Sequence, residues 1–98
     1  MNNKNLQLLG LANRAKKILT GETAMEAIKS LEASLVIYAS DASAKTKKRI
    51  IDKCNFYNVE VIEFADSLAI SNALGKNNCM YVAIIDKGFA QTFVKNLK

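Results

Sequence analysis

Apolar residues recur along this chain in two rhythms, helical spacing and short continuous runs, and the two alternate from end to end. Leu8, Leu11, Ala12 and Ala15 stand at helical spacing and predict a first helix with an apolar stripe. A short strand over residues 18–20 follows and meets Gly21. Ala24, Ala27, Ile28 and Leu31 then predict a second amphipathic helix. Leu35-Val-Ile-Tyr-Ala39 is an unbroken apolar run of strand length, the pattern of a central strand covered on both faces. Asp41 and Ser43 are N-cap residues ahead of a third helix, in which Ile50, Ile51 and Cys54 face inward and the basic residues outward. Residues 59–64 alternate imperfectly, which suits a strand nearer the edge of a sheet. Asp66 or Ser67 caps a fourth helix that stops at Gly75, a residue free to take the left-handed C-cap conformation. Residues 81–85 form a second buried strand, after which Asp86 caps a last helix with Phe89, Phe93 and Leu97 on one side.

Helices and strands in strict alternation imply an α/β fold, a sheet held between helical layers. Ligands of such folds gather at the loops beyond one end of the sheet. The candidate loops are residues 20–23, 40–43 and 75–80. With no proline, no Ser/Gly-rich linker and no repeat, residues 1–98 read as one uninterrupted domain.

Composition then removes whole classes of chemistry. Histidine is absent, so no Ser-His-Asp or Cys-His nucleophile, no HExxH metal site and no histidine acid–base pair can be built. The scattered acids Asp41, Asp86 and Glu22 read as caps, and no carboxylate pair has a spacing suited to acid–base work. The chain is therefore not expected to be an enzyme, and no cofactor is expected. Cys54 and Cys79 form no CxxC pair and are expected to be reduced thiols of a cytoplasmic protein. No apolar run is long enough to cross a membrane, and the polar Met1-Asn-Asn-Lys-Asn5 start does not read as a signal peptide.

The net charge is +5, and its distribution matters more than its size. Lys4, Arg14, Lys16 and Lys17 stand in a stretch without acids, while Lys45, Lys47, Lys48, Arg49 and Lys53 face only Asp52. Charge grouped in this way attracts polyanions, although the second group is equally the solvated face of a helix. Leu19-Thr-Gly-Glu-Thr23 is a turn feeding a helix start, where free amides and the helix dipole receive an anion or a base edge. Many structural turns look the same. Arg14, Lys16 and Lys17 precede this turn, either as phosphate contacts or as cations suiting a helix C-terminus. Gly75-Lys-Asn-Asn78 is not a phosphate loop, because Ile70 stands where GxxxxGK[ST] needs glycine. Its amides and Lys76 could still meet nucleotides, or the segment is a plain C-cap and connector.

Leu9-Gly-Leu-Ala-Asn-Arg-Ala-Lys-Lys17, the Gly21 turn, Leu35-Val-Ile-Tyr-Ala-Ser-Asp-Ala-Ser43, Lys53-Cys-Asn-Phe-Tyr57, Leu74-Gly-Lys76 and Ile85-Asp-Lys-Gly-Phe89 resemble the L-seven-Ae ribosomal protein family, in its bacterial, YlxQ-like branch. The resemblance runs over essentially the whole chain. It implies a three-layer α/β/α sandwich with a four-stranded mixed sheet, the ribosomal L-thirty-e-like fold. It also implies binding of structured RNA, in that family a kink-turn, whose tandem sheared G·A pairs make a sharp bend. By position it assigns Gly21, Glu22 and Thr23 to the G·A pairs, Lys17 to a phosphate, and Gly75, Lys76, Asn77 and Asn78 to the bases that flip out. Asp41 borders the same surface. The implied partner is ribosomal or other structured RNA, with the ribosome or its assembly and transcription factors as context, and a monomer suffices.

One departure stands out. Archaeal and eukaryotic members carry a Gly-x-Asn-Glu turn with a lysine one helical turn later, whereas this turn reads Gly21-Glu-Thr-Ala-Met-Glu26. Whether the turn is aligned on Gly21 or on the downstream strand, the asparagine–glutamate pair and the lysine are absent. Bidentate base-edge contacts are worth roughly 1–3 kcal/mol each, so weaker or altered kink-turn recognition is predicted. The alternative expectation is a protein-interaction adaptor of the translation or transcription machinery with a vestigial RNA surface. The fold also resembles the small domain at the front of some RNA ribose methyltransferases, which need a separate catalytic domain.

Overall fold

The computed structural model describes residues 3–97. Its elements run α1 (Asn3–Arg14), β1 (Ile18–Thr20), α2 (Gly21–Lys29), β2 (Leu35–Tyr38), α3 (Ala44–Phe56), β3 (Val61–Glu63), α4 (Ser67–Leu74), β4 (Tyr81–Ile84) and α5 (Lys87–Asn96), the alternation expected from the pattern. The strands form one mixed sheet in the order β1-β4-β2-β3. The two unbroken apolar runs, β2 and β4, are its central strands, and the imperfectly alternating β3 lies at an edge.

Side-chain alternation along each strand divides the core into two halves. Leu35, Ile37, Val82 and Ile84 point to one face, where Leu9 and Ala12 of α1, Ile70 and Leu74 of α4 and Phe93 of α5 cover them. Val36 and Ala83 point to the other, under Ala24, Met25 and Ile28 of α2 and Ile50 and Cys54 of α3. The result is a three-layer α/β/α sandwich.

Register places the loops. β4 runs antiparallel to both neighbours, with Thr20 opposite Val82 and Tyr38 opposite Tyr81. β2 and β3 run parallel, with Tyr38 beside Glu63. The C-terminal ends of β1, β2 and β3 therefore share one rim of the sheet with the start of β4.

Four residues expected on apolar faces, Leu11, Ala15, Leu31 and Leu97, are placed otherwise by the structure. Leu11 is 53% exposed and Ala15 falls beyond α1, because the packed face of that helix is centred on Leu9 and Ala12. The same face buries Asn5, whose Nδ2 donates to the Phe93 carbonyl at 3.1 Å and whose Oδ1 accepts from Asn96 Nδ2. This tie between the first and last helices satisfies a polar group that would otherwise be costly to bury. Leu31 is exposed because α2 stops at Lys29 and the chain reverses, with the amides of Glu32 and Ala33 both donating to the Ala27 carbonyl. Leu97 lies past the end of α5 and is also exposed.

Both cysteines are free and buried. Burial pushes the Cys54 thiol up from 9.0 to about 11, so it stays protonated and unreactive at neutral pH. Among the described residues no helix is long and apolar enough to cross a membrane.

Candidate nucleic-acid interface

Four chain segments meet at the rim. The first is the start of α2. Gly21 has φ +60, in the left-handed region that favours glycine, and a Cβ added there would touch nothing within 4 Å. The Thr20 side chain does not cap the helix. Thr23 instead turns its hydroxyl back to donate to the Thr20 carbonyl at 2.6 Å. The later helices α3, α4 and α5 are each closed by a side chain: Ser43 accepts from Thr46 N, Asp66 from Ala69 N and Asp86 from Phe89 N. Of α2, α3, α4 and α5, α2 alone presents its first-turn amides without a side-chain cap, and those amides carry the positive end of the helix dipole.

The second segment is the 75–80 loop. Gly75 adopts the left-handed C-cap expected of it, with φ 67. The amide of Lys76 closes on the Ser71 carbonyl at 2.9 Å, and the amide of Cys79 donates to Ser71 Oγ, also at 2.9 Å. Buried Ser71 thus ties both ends of the loop to α4. Among the described residues, the amides of Asn77 and Asn78 find no acceptor, and both side chains are exposed, as is that of Lys76. The loop and the α2 start close around a cleft of about 260 Å³ lined by Thr20, Gly21, Lys76, Asn77 and Asn78 and floored by Cys79, Met80 and Tyr81.

The third and fourth segments, 40–43 and 64–67, are clamped together by Asp41. Asp41 does not cap α3, a role that Ser43 fills alone. Its Oδ1 accepts from the Ser67 amide at 2.8 Å and its Oδ2 from the Ser67 hydroxyl at 2.7 Å, across 26 residues of sequence. The side-chain bond from Ser67, then its backbone bond, hold the Asp41 carboxyl below its ordinary value of 3.8. With the folded-state value below the unfolded one, the ionised carboxylate favours the fold above the ordinary aspartate range. That contribution is lost as pH falls through the lowered folded value. An NMR titration is expected to show Asp41 as a depressed carboxyl and the Ser67 amide shifting with it. A normal Asp41 titration sinks the clamp. Asp41 therefore shapes the rim, and both of its oxygens are already engaged.

Glu22 is not a cap either. It lies in the first turn of α2 and reaches Arg49 of α3 at 3.8 Å, an exposed pair of small energetic value. Arg49 belongs to the basic group of residues 45–53, which reads equally as a polyanion-attracting patch or a solvated helix face; only the packing of α3 on α2 brings it beside the Gly21 turn. Sequence reasoning misses Ser71 and reads Ser67 only as a candidate cap of α4; folding sets Ser67 against Asp41 and Ser71 under the 75–80 loop.

Of the three cations before β1, Lys17 sits apart from the Gly21 turn. The Lys17 carbonyl accepts from the Ile85 amide at 2.9 Å, at the end of β1 remote from Gly21. At about 3.3 Å per strand residue, Lys17 is roughly 13 Å below the turn. Lys16 occupies a left-handed turn with φ 63, and Arg14 borders the groove between α1 and α4 beside Asn72 and Ala73. Adjacency in sequence put Lys17 next to the turn, and the length of β1 separates the two. The end of α1 lies against the end of α4, where Asn13 Nδ2 donates to the Leu74 carbonyl at 3.1 Å. Among the described residues no group of three or more Cys, Asp or Glu is arranged to hold a metal ion.

Comparisons with known proteins bear on what such a rim does. The profile of the ribosomal protein L7Ae/L30e/S12e/Gadd45 family matches residues 3–94. The chain is 38% identical over 91 residues to the RNA-binding protein YlxQ of Bacillus subtilis (strain 168), spanning 92% of this chain and 91% of that protein. It is 39% identical over 89 residues to the RNA-binding protein YlxQ of Enterococcus faecium, spanning 90% and 85%. Among solved structures, a Bacillus halodurans protein of unknown function superposes with a TM-score of 0.91 at 36% identity, covering 96% of each chain. A 15.5kD RNA-binding protein of Giardia lamblia shares the fold, with a TM-score of 0.77 at 17% identity over 94% of this chain and 80% of that one.

Proposed function

The chain belongs to the ribosomal protein L7Ae/L30e/S12e/Gadd45 family, and from that premise we propose that it binds structured RNA, without catalysis, at the rim joining the Gly21 turn to the 75–80 loop. The observation that carries the reading is the uncapped start of α2 facing a loop with two unbonded amides across one cleft. Such donors suit the phosphate and base-edge acceptors of a folded RNA, and glycine at position 21 lets the RNA backbone come close.

The RNA fitted best is kink-turn-like. Gly21, Glu22 and Thr23 meet the sheared G·A pairs. Asn77 and Asn78, each offering donor and acceptor groups, meet the bases that leave the stack. Lys76 contacts a phosphate from the loop. Arg14, Lys16 and Lys17 line the flank along which the phosphates of an adjoining stem run. Ribosomal RNA or another structured cellular RNA is the expected source, read in the cytoplasm by a monomer.

The test is binding of the whole protein to a kink-turn RNA and to the same RNA with its tandem G·A pairs replaced, at several salt concentrations. Preference for the intact kink-turn is expected at near-physiological salt. Lys76→Ala is expected to weaken binding and reduce the salt slope by roughly one phosphate contact. Equal, steeply salt-dependent binding to both RNAs would reduce the interaction to general polyanion attraction and sink the kink-turn reading.

A second reading rests on the acids of the turn. Exposed Glu22 and Glu26 stand on the start of α2, where an RNA surface would hold amides or cations. They favour a protein-interaction adaptor of the translation or transcription machinery with a vestigial RNA surface. Recovery from cells with protein but without RNA is its expected signature.

A further inference from the structure

The outward face of α3 carries a feature that the rim does not use. Lys45, Arg49, Lys53 and Phe56 recur at intervals of three or four residues, which places them in one stripe along the helix, with Asp52 beside it. Phe56, at its lower end, is 78% exposed, the most exposed large apolar side chain among the described residues. It is nevertheless held: its ring meets that of Tyr57 edge-to-face, with centroids 4.9 Å apart at 79°. Arg49, Asp52, Lys53, Phe56 and Tyr57 together line a cleft of about 440 Å³.

The charges of this stripe are only partly answered within the protein. Lys48 pairs with Asp52 at 3.0 Å and Arg49 reaches Glu22 at 3.8 Å, while Lys45 and Lys53 have no acidic partner among the described residues. The Arg49–Glu22 contact also makes the stripe continuous with the rim, since Glu22 belongs to the Gly21 turn. From Arg49 to Phe56 the helix advances seven residues, roughly 11 Å, a span of about three stacked nucleotides.

We propose that α3 binds a single-stranded nucleotide segment flanking the folded RNA, with a base stacked on Phe56 and phosphates on Arg49 and Lys53. A held aromatic face beside cations is the pairing that binds single strands without reading their sequence. This rests on the rim binding a folded RNA and adds a second contact, for which the first is the anchor. The chemistry favours a nucleic-acid strand over a protein, because Lys53, which has no acidic partner among the described residues, shares the cleft with the ring and with Arg49, and phosphates answer both cations.

The experiment compares the whole protein on a blunt kink-turn RNA, on the same RNA with a short oligouridine tail at either terminus, and on both with Phe56→Ala. Wild type is expected to bind one of the tailed RNAs more tightly than the blunt one. Phe56→Ala is expected to remove that gain, a roughly five- to 150-fold loss for a stacked base, and to leave the blunt RNA untouched. Truncating so exposed a ring leaves the fold intact, which circular dichroism checks. Arg49→Gln is expected to lower the gain and its salt dependence. Equal binding of tailed and blunt RNA by wild type overturns the proposal and spares the rim. A tail effect that survives Phe56→Ala also overturns it. Failure to bind either RNA removes the proposed function and this contact with it.

Discussion

Replacing Gly21 with valine is expected to abolish binding of a kink-turn RNA, by roughly a hundredfold or more, while the protein stays folded. The two halves of that result have separate physical causes. Inside the protein, an added Cβ meets nothing within 4 Å, so the substitution creates no internal clash. Its cost to the fold is the left-handed backbone, with φ +60, which is worth about 1–2 kcal/mol against an L residue. A domain of this size holds about 5–10 kcal/mol, so it remains folded at 25 °C. Outside the protein, the same open space is where the RNA backbone must approach the amides of α2. A branched side chain there holds the ligand off several donors at once, and losing two contacts of roughly 1–3 kcal/mol accounts for the drop. Circular dichroism with titration of labelled RNA checks both halves. Gly21→Asn separates them, since asparagine tolerates the left-handed region and restores stability, yet still carries bulk into the cleft. Normal binding by both variants would take the turn out of the interface.

Phe93→Ala is expected to lower stability by about 3–5 kcal/mol, the largest effect of any single truncation in this chain. Phe93 is fully buried and is the largest such side chain. It fills the space between the sheet and the α1–α5 layer and meets Phe64 edge-to-face, with centroids 5.0 Å apart. The variant loses the transfer energy of the ring, the contacts lining the cavity and the aromatic pair. In a small domain this moves the melting midpoint down by roughly 15–30 °C. Phe93→Leu keeps most of the volume and is expected to lose much less. Urea unfolding of the two variants measures the difference. A loss below about 1 kcal/mol for the alanine variant would mean the core repacks, contrary to its close packing. Binding at low temperature is expected to stay near wild type, because Phe93 belongs to α5 and the rim is built by other elements.

The sequence by itself determined the local pieces. Ser43, Asp66 and Asp86 each close the helix they precede, and Gly75 ends α4, because caps act over three or four residues. The runs at Leu35 and Tyr81 read as central strands because only a strand covered on both faces buries every side chain. The absence of histidine ruled out its chemistry before any fold was known. Only the tertiary structure decided what those pieces meet. Nothing local says that β4 inserts between β1 and β2, yet that insertion brings the 75–80 loop to the Gly21 turn. Asp41 carries a cap signal for α3, and folding gives it to Ser67 instead, 26 residues away. Asn5, the last residue of a polar start, is buried against α5, while Leu11, placed on an apolar stripe, is exposed. The division follows from range. Periodicity and capping are contacts between near neighbours, so residue order encodes them directly. Strand order, clamps and clefts join residues far apart in the chain, and they are settled by how both faces of the sheet are buried at once.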